Sequence, residues 1–388
     1  MAMTLNGSDL STVTSAMGLL VSTVDAENAP DLYLSTDSRL SHLLEFRVAM
    51  WIDFIYVPIC AGLGILGNML SFCVLLSPRL SGSSTSVYMA ALSVSDSLVQ
   101  VVNILFLVRK FPGHETLRHG TCGLVYFLLY FSIHYNVIVM MGMTLERYLA
   151  IRFPLKASGW CTPRRARTTV VVMCVIVVAV NFHNLILRKM VWNDVLKTEV
   201  CAPDGPTNEF FLFKVWPWID GAVYCYIPLL TVSVLNVLIV LQMRSAQKFR
   251  GTSGSAEQSA SDVSRQVTVM LLLVTCTFLL LVGPMSILIV VERYVWFRTT
   301  IHEQAVFHLV RTILNNVAYT NHAINFCLYC LSGNRFRQEF ARLFLPCVTK
   351  GKQHKSKQVL SIENNNTITT TLPGCKPSIA SISGGNCK

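Results

Sequence analysis

The sequence predicts an all-α membrane protein: a seven-transmembrane helix bundle followed by a short amphipathic helix on the membrane surface. Three observations predict it. Hydrophobic residues make up 52% of the 388 and charged residues only 14%, with mean hydropathy +0.50, whereas soluble domains carry about 25% charged residues. The apolar residues come in long runs with charges confined between them, and a run of about 18 or more can cross a bilayer as a helix. The runs do not alternate in polarity, as the segments of about 10 residues in a barrel would. Helix is then the conformation that satisfies every backbone N–H and C=O inside hydrocarbon.

Residues 1–50 read as an extracellular tail. They are polar and acidic, and their apolar cluster Met17–Val21 is too short for the core of a signal peptide. The first span is therefore expected to act as an uncleaved insertion signal. Asn6-Gly7-Ser8 is a glycosylation sequon on that side.

The spans run Trp51–Leu76, Val87–Val108, Gly123–Ile151, Thr168–Leu187, Val215–Leu241, Val267–Val291 and Val306–Leu331, so the bundle occupies residues 51–331. Pro228 in span five and Pro284 in span six each remove a helical hydrogen bond and predict kinks. Between these spans, about Arg244–Arg265, the stretch GTSGSAEQSASDVS reads as a short flexible linker. No internal repeat is visible.

Residues 332–347 form the surface helix. Phe336, Phe340, Leu343 and Phe344 fall at i, i+4, i+7 and i+8, with Arg335, Arg337 and Arg342 off that face. Cys347 behind them is a candidate for palmitoylation, with an unmodified thiol as the alternative. Residues 348–388 are Ser/Thr/Asn-rich and expected to be disordered, with Thr367–Thr371 open to phosphorylation.

Lys and Arg set the orientation. Before Trp51 there are six acids (Asp9, Asp25, Glu27, Asp31, Asp37, Glu45) against Arg39 and Arg47. After Leu331 there are nine Lys/Arg against Glu339 and Glu363, and the loop after span three carries Arg152, Lys156, Arg164, Arg165 and Arg167. This predicts an extracellular N-terminus and a cytoplasmic C-terminus. The net charge of +11 is mostly this bias. It points to the lipid bilayer as the anionic partner and not to nucleic acid.

Of thirteen Cys, most lie inside spans. Cys122, starting span three, and Cys201, in the loop between spans four and five, face the oxidising side. They are candidates for a disulfide that would pin the loop over the bundle's outer mouth.

Ionisable groups within a membrane are functional suspects. Asp96 lies mid-span two, and Asn68, Asn136, Asn321 and Asn325 fall at similar depth. This cluster suits a small cation such as sodium; alternatively Asp96 is protonated in a structural network. No other metal or cofactor is suggested. Glu146-Arg147-Tyr148 ends span three, with Arg147 25 residues beyond Cys122, about 37 Å along a helix. An Arg held at the inner mouth by its own Glu is a releasable charge, suited to a two-state switch. His134, alone in span three, reads as a packing residue.

Together these residues resemble the rhodopsin-like (class A) family of G-protein-coupled receptors over about residues 50–347. The matching features are Gly67-Asn68, the Asp of Leu92-Ser93-Val94-Ser95-Asp96, Cys122, Glu146-Arg147-Tyr148 with Ile151 and Pro154, Cys201, Pro228, Phe278 with Pro284, and Asn325 with Tyr329. Departures from the family's pattern are a span four without Trp, Asn236 for a Tyr in span five, and Leu281-Val282-Gly283-Pro284 for Cys-Trp-x-Pro. Asn325-Phe326-Cys327-Leu328-Tyr329 also replaces Asn-Pro-x-x-Tyr, and Ser264 stands where an acid often faces the span-three Arg. The phrase INFCLYCLSGNRFRQEF looks like the FMRFamide-receptor and orphan neuropeptide-receptor branch.

The resemblance implies a plasma-membrane receptor, not an enzyme, that binds an extracellular ligand and activates a heterotrimeric G protein. Arg147 would meet the G protein, Asp96 with Asn321 and Asn325 would form a cation-sensitive hub, and Tyr329 would swing as a switch. Arrestin and a receptor kinase would act at the C-terminal tail. Tyr319 stands where opsins carry Lys and Leu129 where amine receptors carry Asp, which disfavours both ligands. A peptide is the expected ligand, met by an outer rim that includes Asp220 and Glu292 and by Tyr126, Tyr130 and Arg311 as pocket residues, while Trp216 and Trp218 read as interfacial belt. The alternatives are a chemosensory, lipid or other small-molecule receptor of the same fold, or a seven-span transporter.

Overall fold

The computed structural model describes residues 40–109, 115–193, 198–248, 255–294 and 300–345. Long helices dominate. Leu44–Leu75 (α1) opens with Glu45 in its first turn, where a carboxylate favours the positive end of the helix dipole. Ser84–Arg109 (α2) and Glu115–Arg152 (α3) follow. A short helix, Pro154–Trp160, then leads to Pro163–Asn181 (α4). Thr162 caps α4 by accepting from the Arg165 N–H, and Pro163 fits the first turn, where its missing N–H costs nothing.

The fifth span is irregular at its start. From Pro206 it alternates α and π turns, with π stretches at Phe211–Val215 and Gly221–Tyr226, before the regular helix Ile227–Lys248 (α5). Pro228 has no N–H to give to the helix, and the second π stretch lies just before it. Ser255–Tyr294 (α6) contains Pro284, and Ile301–Ser332 (α7) begins with a reciprocal capping box between Thr300 and Glu303. Asn334–Phe344 (α8) is the predicted amphipathic helix.

The helices outrun the apolar cores read from the sequence. At about 1.5 Å per residue, the 38 residues of α3 and the 40 of α6 exceed a hydrocarbon core of about 30 Å. One consequence corrects the expected linker: residues 255–265 continue α6, and only 249–254 lie outside the described residues. Ala256, Glu257, Gln258 and Ala260 are good helix formers, so the helix carries on past the membrane.

Among the described residues, six helical stretches are long and apolar enough to cross a membrane. The seventh long helix, α7, falls outside that set. Its buried face carries His308, Asn316, Asn321, His322 and Asn325, which lower its apolar content. It packs chiefly on α1 and α6, while α3 touches α2, α4, α5 and α6. A close approach binds α1 to α7: a Cβ on Gly64 or Gly67 would stand 3.0 Å from the Cβ of Ala323 or Phe326.

A hairpin absent from the sequence reading joins α4 to span five. Arg188–Asn193 (β1) pairs antiparallel with Thr198–Pro203 (β2), Met190 opposite Cys201. The Cys122–Cys201 disulfide, with 5.4 Å between Cα atoms, ties β2 to α3. Phe106, Tyr130 and Met190 pack around it.

The chain divides into two units, Met1–Arg337 and Gln338–Lys388. In the first, Phe336 lays its ring 5.6 Å from Tyr329 and 6.1 Å from Phe326. In the second, Arg342 pairs with Glu339, and Phe340 and Phe344 lie 5.2 Å apart. Asn6, Cys347, Thr367–Thr371 and the tail 348–388 lie outside the described residues.

Gly123 tests the packing beside the disulfide. An added Cβ would sit 2.7 Å from the Asn184 carbonyl oxygen, a backbone atom with little room to give. Ala favours a helix over Gly by about 1 kcal/mol, but overpacking costs about 1–3 kcal/mol. Gly123→Ala is therefore expected to lower the thermal midpoint of the detergent-solubilised protein; an unchanged or raised midpoint would refute this contact.

Candidate functional site

The first cluster lies where α2, α3 and α7 meet. Asp96 is fully buried, and three side chains hydrogen-bond it; as a carboxylate it accepts from each. Asn136 Nδ2 reaches Oδ1 at 2.6 Å, His322 Nδ1 meets the same oxygen at 2.7 Å, and Asn325 Nδ2 reaches Oδ2 at 2.7 Å. Three donors from two other helices offset part of the cost of burying the carboxylate. Asn68 belongs to the surround in a different way: its Nδ2 donates to the His322 carbonyl at 2.9 Å, from α1. Asn321 is buried but makes no hydrogen bond to the carboxylate.

His322 went unread in the sequence, although it stands three residues before Asn325 on one helical face. That spacing was the available signal.

The second cluster lies between α3 and span five, toward the disulfide end. Tyr130 and His134 are i, i+4 on α3; Trp216, Asp220 and Tyr224 recur every four residues opposite. His134 Nε2 meets Asp220 Oδ1 at 2.8 Å, so this histidine is more than a packing residue. Tyr130, Trp216 and Tyr224 surround it with ring centroids 5.9, 6.2 and 6.4 Å away, and the His183 ring lies tilted 4.0 Å from that of Trp216. The His134 side chain is fully buried and that of Asp220 is 24% exposed. The buried His134 Nδ1 and Trp216 Nε1 have no hydrogen-bond partner among the described residues.

Trp216 is 3% exposed, so it is not the belt residue the sequence suggested, while Trp218, at 51%, fits that reading. The irregular turns start and end the short helix Trp216–Asp220 and aim its residues at α3, which period counting cannot show.

Other polar bonds join spans. Arg188 lays its guanidinium 4.1 Å over the Tyr126 ring, which closes Tyr126 off as a buried residue. Arg311 faces Glu292 at 3.8 Å. Asp53 of α1 accepts from Asn316 of α7 at 2.8 Å. Asn236 and Thr275 bond mutually at 2.9 and 3.1 Å, linking α5 to α6.

At the opposite end of α3, the expected clasp between neighbours is not formed. Glu146 accepts from Ser84 Oγ of α2 at 2.5 Å. Arg147 makes no ion pair among the described residues, and its buried Nε has no partner. Adjacent residues on a helix point in different directions, which is why Glu146 hydrogen-bonds α2 and meets Arg147 only through charge attraction at longer range. Tyr148 is half-buried, and the Tyr329 hydroxyl is buried without a partner.

The sequence profile of the 7 transmembrane receptor (rhodopsin family) matches residues 67–329. A Caenorhabditis elegans protein described as a probable G-protein coupled receptor is 25% identical over 315 residues, 76% of this chain and 70% of that protein.

Asp96→Ala would leave three buried donors without their acceptor, each worth about 1–3 kcal/mol. The expected result is a loss of at least about 3 kcal/mol of stability, read as a lower thermal midpoint. Asn321→Ala, which removes no bond to the carboxylate, is expected to cost less; equal losses would show that the network is not what holds this junction.

Proposed function

The chain belongs to the rhodopsin family of seven-transmembrane receptors, and on that footing we propose that it is a plasma-membrane neuropeptide receptor with an extracellular N-terminus. Membership makes it a multi-pass membrane receptor for an extracellular ligand, coupled to a G protein, and not an enzyme. The acidic N-terminal segment and the basic C-terminal one support the sidedness.

The observation that carries the signalling role is Arg147, which ends α3 with its buried Nε unpartnered. The Tyr329 hydroxyl is in the same condition. Buried polar groups without partners raise the energy of the conformation that holds them. A rearranged bundle, with the G protein against Arg147, would give them partners. Ligand binding acts by population shift: it must favour that second arrangement over the first. Phosphorylation at Thr367–Thr371 by a receptor kinase, followed by arrestin, belongs to the same reading.

The peptide assignment rests on the INFCLYCLSGNRFRQEF resemblance and on the second cluster. Asp220 bonds His134 through one carboxylate oxygen, and the rings of Tyr130, Trp216 and Tyr224 surround that histidine. A carboxylate beside aromatic faces suits a guanidinium flanked by an aromatic side chain. An amidated peptide with basic and aromatic residues has that chemistry.

The test is a library of amidated neuropeptides applied to cells expressing the receptor with a promiscuous G protein, read as calcium release. A basic aromatic peptide is expected to give a saturable response that Arg147→Ala abolishes at normal surface expression. Asp220→Asn is expected to raise the half-maximal concentration on the order of 10–100-fold, the value of one charged hydrogen bond. Silence across the library, with the receptor at the surface, would overturn the peptide assignment in favour of lipid or chemosensory ligands. A response that survives Arg147→Ala would overturn the switch role.

A further inference from the structure

A buried carboxylate among amides invites a metal cation, and sodium is the cation the cluster suggests. The donors around Asp96 argue against it. Hard cations are held by several oxygen atoms at once. Both Asp96 oxygens instead receive N–H groups, two on Oδ1 and one on Oδ2. Each N–H presents partial positive charge, so a cation at the carboxylate would meet repulsion from all three. Asn136 and Asn325 could turn their amides and offer oxygen. His322 has no oxygen to offer, and at 2.7 Å its ring stands where an ion on Oδ1 would have to go. The ring has little room to swing away, because His322 is 3% exposed. Among the described residues, no group of three or more His, Cys, Asp or Glu side chains is placed to hold a metal ion.

We propose that His322 is a built-in substitute for a metal ion at the junction of α2, α3 and α7, so that the receptor is blind to sodium. The tie between α2 and α7 is then a direct bond of the protein, and not an exchangeable ion. The position also sets cation specificity: removing the imidazole while keeping an oxygen opens a cavity lined by Asp96, Asn136 and Asn325 that takes sodium.

Thermal unfolding of the purified full-length receptor, in sodium chloride against potassium chloride at equal ionic strength, tests this without a ligand. The wild-type midpoint is expected to be the same in both salts. His322→Ser is expected to gain a saturable, sodium-specific rise of roughly 2–4 °C, by linkage between ion binding and folding. Adding Asp96→Asn to that variant is expected to cancel the rise. A sodium-specific rise in the wild type would overturn the proposal at once, and that measurement needs no variant. A folded His322→Ser protein that stays indifferent to sodium would overturn it as well. Should His322→Ser not fold, His322→Asn keeps an oxygen and a larger side chain, and the same two results apply to it.

Discussion

A carboxylate cut off from water organises this bundle. Asp96 can be buried because Asn136, His322 and Asn325 bring three N–H groups to it from α3 and α7. Such groups matter more here than in a soluble core. Lipid is as apolar as the helix faces it touches, so helix association gains little from the hydrophobic effect and depends on packing and polar bonds. Several polar bonds of this protein run between spans: Asn68 to His322, Asp53 to Asn316, His134 to Asp220, Asn236 to Thr275. Gly64 and Gly67 let α7 come close enough to α1 for the first of these.

The two ends of the bundle differ in how they are tied. At one, the disulfide ties β2 to α3 and the Arg188–Tyr126 contact ties β1 to it, so both strands of the hairpin are held on α3. At the other, Arg147 and Tyr329 hold polar atoms with no partner. The end with the covalent tie suits a frame around a ligand, and the end without one suits a rearrangement. Between them lies the Asp96 junction, whose bonds must stretch or re-form if α7 moves relative to α2 and α3.

The family's missing residues find local replacements. Asn236 stands where the family has Tyr, and it bonds Thr275 across α5 and α6. Asn325 lacks the Pro that usually follows it, yet still reaches Asp96. Both cases keep a polar link between helices while changing the side chain that makes it.

Much of this was legible in the chain alone. Seven apolar runs, the two cysteines, Asp96 with Asn136 and Asn325, and the α8 face from Phe336 to Phe344 are local patterns, and each follows from composition or from the period of a helix. What the chain could not show was which face of one helix meets which face of another. His322 looked like any residue of span seven, His134 looked like packing, and Glu146 looked like the partner of Arg147. Their actual partners lie on other spans, up to 226 residues away for His322 and Asp96. Helix rotation decides those contacts, and rotation is set by irregular turns such as Gly221–Tyr226 and by close approaches such as Gly64 to Ala323. The sequence by itself determined that the chain crosses a membrane in helices, because hydrocarbon leaves the backbone no other choice. Only the tertiary structure decided which buried charge faces which donor, because that depends on how the helices turn toward one another.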